Sequence, residues 1–325
     1  MGLQLVGIDR ILDAAELIRP FAVRTPLLVS PWPGLWIKPE NLQPIGAFKI
    51  RGAVTAISRL DPAVRARGVI AHSSGNHAQA VAYTARAFGI DAHIVIPDNA
   101  SPRKVQATRD LGATVELVPI EQRFSRPAEL VEQTGKAMIP PFDDPDVVSG
   151  QGTVGLEIAN DLPEVETVLV PISGGGLISG VAAAITALLP QAKVVGVEPE
   201  LAGDAAESFA AGRRIGWTAA QTARTMADGL RAFSVGELPW EHIRTQVHDI
   251  ITVSEGEIVA AVGLAAEECR LVVEPSGALS IAALRFRARE AGLSGLTGSL
   301  VAVVSGGNLD PLRYRELLGA GGPAS

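Results

Sequence analysis

The first group in the chain with distinctive chemistry to offer is a lysine among small and apolar residues, in Gly46-Ala47-Phe48-Lys49-Ile50-Arg51-Gly52. On a surface such a lysine snorkels, its stem on apolar neighbours and its ammonium in water. Desolvated, it has a lowered pKa and becomes a nucleophile able to form a Schiff base. Three glycine-rich turns offer groups for a ligand to meet. Ser173-Gly174-Gly175-Gly176-Leu177 lies between a β-branched run and a helical pattern. Successive glycines admit a ligand close to the backbone, and N–H groups at a helix start favour an anion such as phosphate. The turn is not a dinucleotide fingerprint, because Ser179 stands where a third glycine would be, and no Gly-Lys-Ser/Thr follows to make a Walker loop. Ser73-Ser74-Gly75-Asn76-His77 brings two hydroxyls, an amide and free N–H groups to another helix start, which suits a carboxylate and a polar ring substituent. In Ser305-Gly306-Gly307-Asn308 a hydroxyl could meet a heteroaromatic nitrogen. Singly, each turn also has the composition of an ordinary tight turn or N-cap.

The elements around these residues follow a repeating pattern. Short β-branched runs alternate with helical patterns and end in Gly, Pro, Ser or Asn, as in repeated βαβ units. Strands are expected at 68–72, 93–96 and 114–118, with helices at 76–88, 101–111 and 127–136. Gly112 suits the left-handed position after a helix end. A second series has strands at 168–172, 193–197 and 299–304 and helices at 177–189, 258–269 and 277–290. Residues 36–38 read as a strand leading into the Lys49 loop and should pack with this second series. The expected organisation is therefore α/β, with mainly parallel sheets covered on both faces by helices. It comprises a discontinuous large domain of residues 1–46 and 142–325 and a small mobile domain of residues 47–141. Ligands in such folds collect outside the C-terminal ends of strands, at the switch point.

With 325 residues, 47% of them hydrophobic and 19% charged, the chain can bury a sizeable core. The net charge of −7 carries no basic run with interleaved aromatics, so nucleic acid is not an expected partner. A single cysteine, Cys269, excludes an internal disulfide framework and any multi-cysteine metal site. Residues 1–20, with Asp9, Asp13 and Glu16, read as an amphipathic helix without the features of a signal sequence. No apolar stretch approaches the ~20 residues of a membrane span. A soluble, cytoplasmic protein is expected, with residues 319–325 a loose tail.

Taken together, the motifs resemble the fold-type-II pyridoxal-phosphate enzymes, and within them the serine/threonine dehydratase (threonine ammonia-lyase) and serine racemase group. Eight stretches run in that group's order: Lys38-Pro39-Glu40-Asn41-Leu42-Gln43, residues 46–53, residues 73–79, Gly150-Gln151-Gly152-Thr153, residues 173–177, Ala227-Asp228-Gly229, Glu274-Pro275-Ser276-Gly277 and residues 305–308. The resemblance implies the two-domain fold shared with the tryptophan synthase β subunit, pyridoxal 5′-phosphate carried by Lys49, and Phe48 beneath its ring. Asn76 would bond the ring hydroxyl, Ser173, Gly174, Gly175, Gly176 and Leu177 would hold the phosphate, and Ser305 would face the ring nitrogen. A neutral hydroxyl there tempers the electron sink and favours elimination over transamination. Ser73, Ser74, Gly75, Asn76 and His77 would receive the substrate carboxylate, with Ser74 on the face opposite Lys49. The implied reaction converts a β-hydroxy amino acid (threonine, serine or 3-hydroxyaspartate) to a keto acid and ammonia, with Lys49 taking the α-proton. A racemase would use the same residues, with Lys49 and Ser74 as bases on opposite faces. The reading from another class is a non-catalytic small-molecule-binding protein.

The resemblance further implies a divalent cation, Mg²⁺ or Ca²⁺, on Glu198, the carbonyl of Ala202 and Asp204, all hard oxygen donors, and a homodimer. It leaves no room after Asn308 for the regulatory domain of biosynthetic threonine dehydratases, so isoleucine feedback is not expected. The chain departs from the commonest pattern at Pro39, Ala47, Ala78 and Ser173. It also departs in Glu121-Gln122-Arg123-Phe124-Ser125-Arg126, a region that borders the substrate pocket in relatives. Either Arg123 or Arg126 could grip a second substrate carboxylate through the bidentate guanidinium fork.

Overall fold

The computed structural model describes residues 3–288 and 299–320. Along the chain its strands are Leu28–Val29 (β1), Leu35–Pro39 (β2), Val69–His72 (β3), Ala92–Pro97 (β4), Thr114–Val118 (β5), Ala137–Met138 (β6), Val165–Pro171 (β7), Lys193–Pro199 (β8), Asp249–Val253 (β9) and Ser299–Val304 (β10). They form a six-stranded sheet in the order β1-β2-β10-β7-β8-β9 and a four-stranded sheet in the order β5-β4-β3-β6. Every pairing is parallel except β1 with β2. The chain thus lays down one edge of the larger sheet, leaves to build the smaller one, and returns to finish the first.

Both faces of the larger sheet are covered, so its central strands read as nearly continuous apolar runs. Successive side chains of β10 point to opposite faces. Leu300, Ala302 and Val304 join a core with Ala278, Leu279 and Ala282 of the Pro275–Phe286 helix, whereas Val301 and Val303 join another with Ile178, Val181 and Ile185 of the Gly176–Leu188 helix.

The Pro145–Asp161 helix was not foreseen, and its composition explains why. It carries Gly150, Gly152 and Gly155, each costing roughly 1 kcal/mol of helix propensity relative to alanine. Its start is well signalled, with Pro145 in the first turn and the Asp144 carboxylate accepting the N–H groups of Asp146 and Val147 at 2.8 and 3.0 Å. The glycines are needed for packing. A Cβ on Gly150 would sit 2.4 Å from the carbonyl oxygen of Arg51, and one on Gly155 would sit 2.8 Å from that of Val181. This helix is therefore wedged between the Lys49–Arg59 and Gly176–Leu188 helices, and the stretch Gly150 to Thr153 forms part of it.

Other expectations shift modestly. The helix expected at 127–136 is Ser125–Thr134, closed by left-handed Gly135 (φ 68°). That expected at 258–269 is Glu255–Glu267, because Ser254 and Glu257 form a capping box just upstream. The helix expected to reach 290 is Pro275–Phe286, and residues 289–290 lie outside the described residues. The Pro311–Ala320 helix takes in residues 319–320 of the expected loose tail, whose last five residues also lie outside the description. Among the described residues no helix is long and apolar enough to cross a membrane.

Candidate functional site

Lys49 opens the Lys49–Arg59 helix, and the loop before it is stitched to the turn after β10. The N–H of Phe48 donates to the carbonyl of Ser305 at 3.1 Å, that of Gly307 donates to the carbonyl of Gly46 at 2.9 Å, and Ala47 bridges Gly306. The Lys49 amine donates to the carbonyl of Pro141 at 2.5 Å and lies 5.1 Å from the Phe48 ring centre. Pro141 leads to Phe142, which rests on the glycine turn. A Cβ on Gly174 would lie 2.1 Å from the Phe142 ring, and one on Gly176 would lie 3.0 Å from its Cα. Lys49 keeps part of its surface open, yet the protein packed around the amine pushes its pKa down to about 8. Here desolvation destabilises the ammonium, and the amide carbonyl it meets brings no opposing full charge.

The glycine turn leads into the Gly176–Leu188 helix through Gly175, whose φ of 89° is left-handed. The Ser173 hydroxyl accepts the N–H of Ala232 at 3.1 Å, and the Gly174 carbonyl accepts that of Gly236 at 3.0 Å. The first N–H groups of this 13-residue helix are free of intrahelical partners by geometry, which suits an anion at its start.

The turn after β3 joins the turn after β10 through side chains. Asn76 donates to Glu274 at 2.7 Å and accepts from Asn308 at 2.9 Å. Within the turn, Ser73 Oγ accepts the N–H of Gly75 at 3.1 Å. His77 bonds the carbonyl of Ile139 at 2.8 Å through Nε2, and burial, together with the charge of Lys49, drives its pKa to about 3. It is a neutral donor to that carbonyl, not an acid. Ser305 is buried, with its hydroxyl 3.3 Å from the carbonyl of Ser276. The structure thus assembles Lys49 and the turns after β3, β7 and β10 at the strands' C-terminal ends.

Beneath them lies a charged cluster. The Arg51 guanidinium, fully buried, spans Glu40 and Glu157 with both forks and also bonds Thr153. Lys38 completes the set at 2.5 Å from Glu157. Burial alone would raise the Glu40 pKa, but Arg51 outweighs it and holds the carboxyl below its ordinary value. A lysine and a glutamate flanking Pro39 at the end of an apolar strand were the available sequence signal for this cluster. Glu274 and Asn308 also lay in recognised stretches, but nothing local revealed that they meet Asn76.

Glu198, near the end of β8, accepts the N–H groups of Ala205 and Ala206 at 3.2 and 2.7 Å. Asp204 starts the Asp204–Ala211 helix, and its buried Oδ2 has no hydrogen-bond partner. Burial and the neighbouring Asp204 push Glu198 well above the usual carboxylate range, while burial brings Asp204 to about 7. Two crowded carboxylates and an orphaned oxygen fit a cation. Among the described residues no group of three or more His, Cys, Asp or Glu side chains gathers, so carbonyls and water would complete such a site.

The two arginines of the 121–126 stretch separate clearly. Arg126 is engaged by Glu116 at 2.6 Å and Glu129 at 3.0 Å. Arg123 lies between the rings of Phe124 and Phe233, 4.3 Å from each centre. Phe124 meets His72 edge-on at 5.2 Å, and His72 directly precedes Ser73. Burial and the Arg123 charge both lower the His72 pKa, which places the guanidinium within electrostatic reach of that turn.

Residues 18–306 match the family described as pyridoxal-phosphate dependent enzyme. The chain is 42% identical to a serine racemase of Oryza sativa subsp. indica, over 93% of this chain and 91% of the relative. It is 39% identical to an L-threo-3-hydroxyaspartate ammonia-lyase of Saccharomyces cerevisiae, over 95% of each. The solved structure of maize serine racemase superposes with a TM-score of 0.90 at 40% identity, covering 96% of this chain and 97% of that one.

Proposed function

Because the chain belongs to the pyridoxal-phosphate dependent enzymes, we propose that it is an ammonia-lyase that converts a β-hydroxy amino acid to a keto acid and ammonia. The observation that carries this reading is the Lys49 amine, desolvated to a pKa of about 8 where the three turns converge. A base whose pKa lies near the working pH combines availability with driving force. When bound, pyridoxal phosphate supplies an electron sink for the carbanion left at the α-carbon. Ser173 to Leu177 would hold its phosphate, Asn76 would bond its ring hydroxyl, Ser305 would face its ring nitrogen, and Phe48 would pack against it. The fit is supported by the N–H groups free at the start of the Gly176–Leu188 helix and by the buried, uncharged hydroxyl of Ser305. Ser73 to His77 orient the substrate carboxylate, and Lys49 takes the α-proton.

Ser74 offers a hydroxyl for a base on the opposite face, which, with the serine racemase relatives, favours racemisation as the second reading. Purified protein incubated with pyridoxal phosphate should develop a near-visible absorbance band, absent in Lys49→Ala. It should release keto acid from serine, threonine or 3-hydroxyaspartate, with chiral analysis of the recovered amino acid scoring racemisation. A colourless protein unaffected by borohydride would sink the reading.

Within this function Arg123 selects a substrate with a second carboxylate, a 3-hydroxyaspartate. Its charge is half-buried against two aromatic rings and no acid among the described residues is bonded to it, whereas Arg126 is already neutralised. A charged hydrogen bond of about 1.5–3 kcal/mol predicts that Arg123→Ala lowers the ratio of kcat/KM for 3-hydroxyaspartate over serine by roughly 10- to 100-fold, and that Arg126→Ala leaves it unchanged. An unchanged ratio in Arg123→Ala would refute the assignment. Glu198, Asp204 and the Ala202 carbonyl hold Mg²⁺ or Ca²⁺. The division into a small mobile domain of residues 47–141 and a large domain of residues 1–46 and 142–325, and assembly as a homodimer, complete the reading.

A further inference from the structure

An asparagine amide presents a donor at one end and an acceptor at the other, and the two ends are nearly equal in size. If Asn76 meets a ring oxygen, its orientation decides whether it offers the ring a hydrogen or a lone pair. That orientation is fixed from a distance. The carbonyl of Ile45 can only accept, so the Asn308 atom 2.7 Å from it is the amide nitrogen. The second N–H of the same nitrogen goes to Asn76 Oδ1 at 2.9 Å. The other end of Asn76 is therefore nitrogen, and one of its two hydrogens goes to Glu274 Oε1 at 2.7 Å. One N–H of Asn76 remains.

Glu274 is itself tethered, its backbone N–H donating to the Gly306 carbonyl at 3.2 Å. Two glycines clear the space. A Cβ on Gly306 would lie 2.4 Å from Glu274 Oε1, and one on Gly46, whose φ is 69°, would lie 2.4 Å from Asn308 Oδ1. Burial, with the charge of Asp228, raises the Glu274 carboxyl to about 7, while Asn76, Lys104 and the Asn308 N–H pull it back. Neutral or ionised, the group keeps an acceptor oxygen for Asn76.

We propose that Glu274 and Asn308 are positioning residues that lock the Asn76 amide, so that its one uncommitted N–H is kept for the ring oxygen of the cofactor. This rests on the pyridoxal-phosphate reading above. A flipped amide would set donor against donor at Asn308 and, with Glu274 ionised, acceptor against acceptor there.

The test is titration of the apo-protein with pyridoxal 5′-phosphate, followed by the near-visible band, for wild type, Asn308→Ala, Glu274→Ala, Asn76→Ala and the double variants. Loss of one hydrogen bond, about 1.4 kcal/mol or tenfold in Kd, is expected in each single variant. If the relay acts through Asn76, adding Asn308→Ala or Glu274→Ala to Asn76→Ala changes Kd no further. Asn308 is only partly buried, so its alanine variant keeps the test open should Glu274→Ala fail to fold. Wild-type Kd in Asn308→Ala, or additive losses in the doubles, overturns the relay even if thermal stability falls. A wild type that forms no band overturns the cofactor reading and the relay with it.

Discussion

Replacing Arg51 with methionine keeps a long apolar stem and removes one charge from a cluster that is neutral as built. Arg51 and Lys38 balance Glu40 and Glu157, and the guanidinium makes six hydrogen bonds to Glu40, Glu157, Thr153 and the Val23 carbonyl. Without it Lys38 still faces Glu157, but Glu40, fully buried, keeps only the neutral donors Thr25 at 2.7 Å and Gln43 at 3.0 Å. Breaking a buried pair so that one charge stays uncompensated costs about 3–5 kcal/mol. At roughly 2–4 °C per kcal/mol for a large domain, the apo-protein should lose about 6–20 °C in thermal midpoint. The loss must also depend on pH. In wild type the folded Glu40 pKa is depressed, so its stabilisation is present above the unfolded value and fades only as pH falls through the folded one. In Arg51→Met burial is opposed only by the Lys38 charge and the bonds from Thr25 and Gln43, so the folded pKa rises and stability falls as pH climbs above the unfolded value. Urea midpoints at pH 5 and pH 8 should therefore show wild type and variant closer together at pH 5, and adding Glu40→Gln should recover at least about 1 kcal/mol at pH 8. A loss below about 1 kcal/mol, or one equal at both pH values, would refute the account.

Three shorter expectations follow from the same geometry. Because the Lys49 amine is brought to about 8, the rate at which apo-protein acquires the near-visible band should rise with pH and level off just above 8; a rise continuing to the ordinary lysine value near 10.4 would contradict its desolvation. Gly180→Ala would set a Cβ 2.3 Å from the backbone nitrogen of Gly152 and 2.4 Å from the Val148 carbonyl oxygen, so chemical denaturation should show a loss of about 3 kcal/mol or more. Mg²⁺ or Ca²⁺ at 100 times its Kd should stabilise wild type by about 2.7 kcal/mol, and Asp204→Asn, which alters the orphaned oxygen's carboxylate, should abolish that shift; an equal shift in the variant would remove the cation from this pair.

The site was legible from the chain because its chemistry is written in short runs that follow strands. Ser73 to His77 and Ser173 to Leu177 lie where parallel strands hand over to helices, and local composition alone shows glycines and hydroxyls gathered there. Lys49 was less legible, since an apolar neighbourhood in sequence is compatible with a solvated amine; only the packing of the 141–142 segment and the turn after β10 makes it a weak ammonium.

By itself the sequence determined the alternation of strand and helix, the parallel sheets and the places where ligand-binding groups accumulate, because side-chain periodicity and turn chemistry act over a few residues. Tertiary structure alone decided what depends on long-range approach. It made Gly150, Gly152 and Gly155 a helix between two others, since propensity opposes that helix and only close backbone packing favours it. It distinguished Arg123 from Arg126 by supplying Glu116 to one and two aromatic faces to the other. It joined Ile45, Asn308, Asn76 and Glu274, which are far apart in sequence, because the segments after β2 and β10 meet the starts of the Asn76–Phe88 and Pro275–Phe286 helices, and the direction of a hydrogen bond is settled only where its donor and acceptor meet.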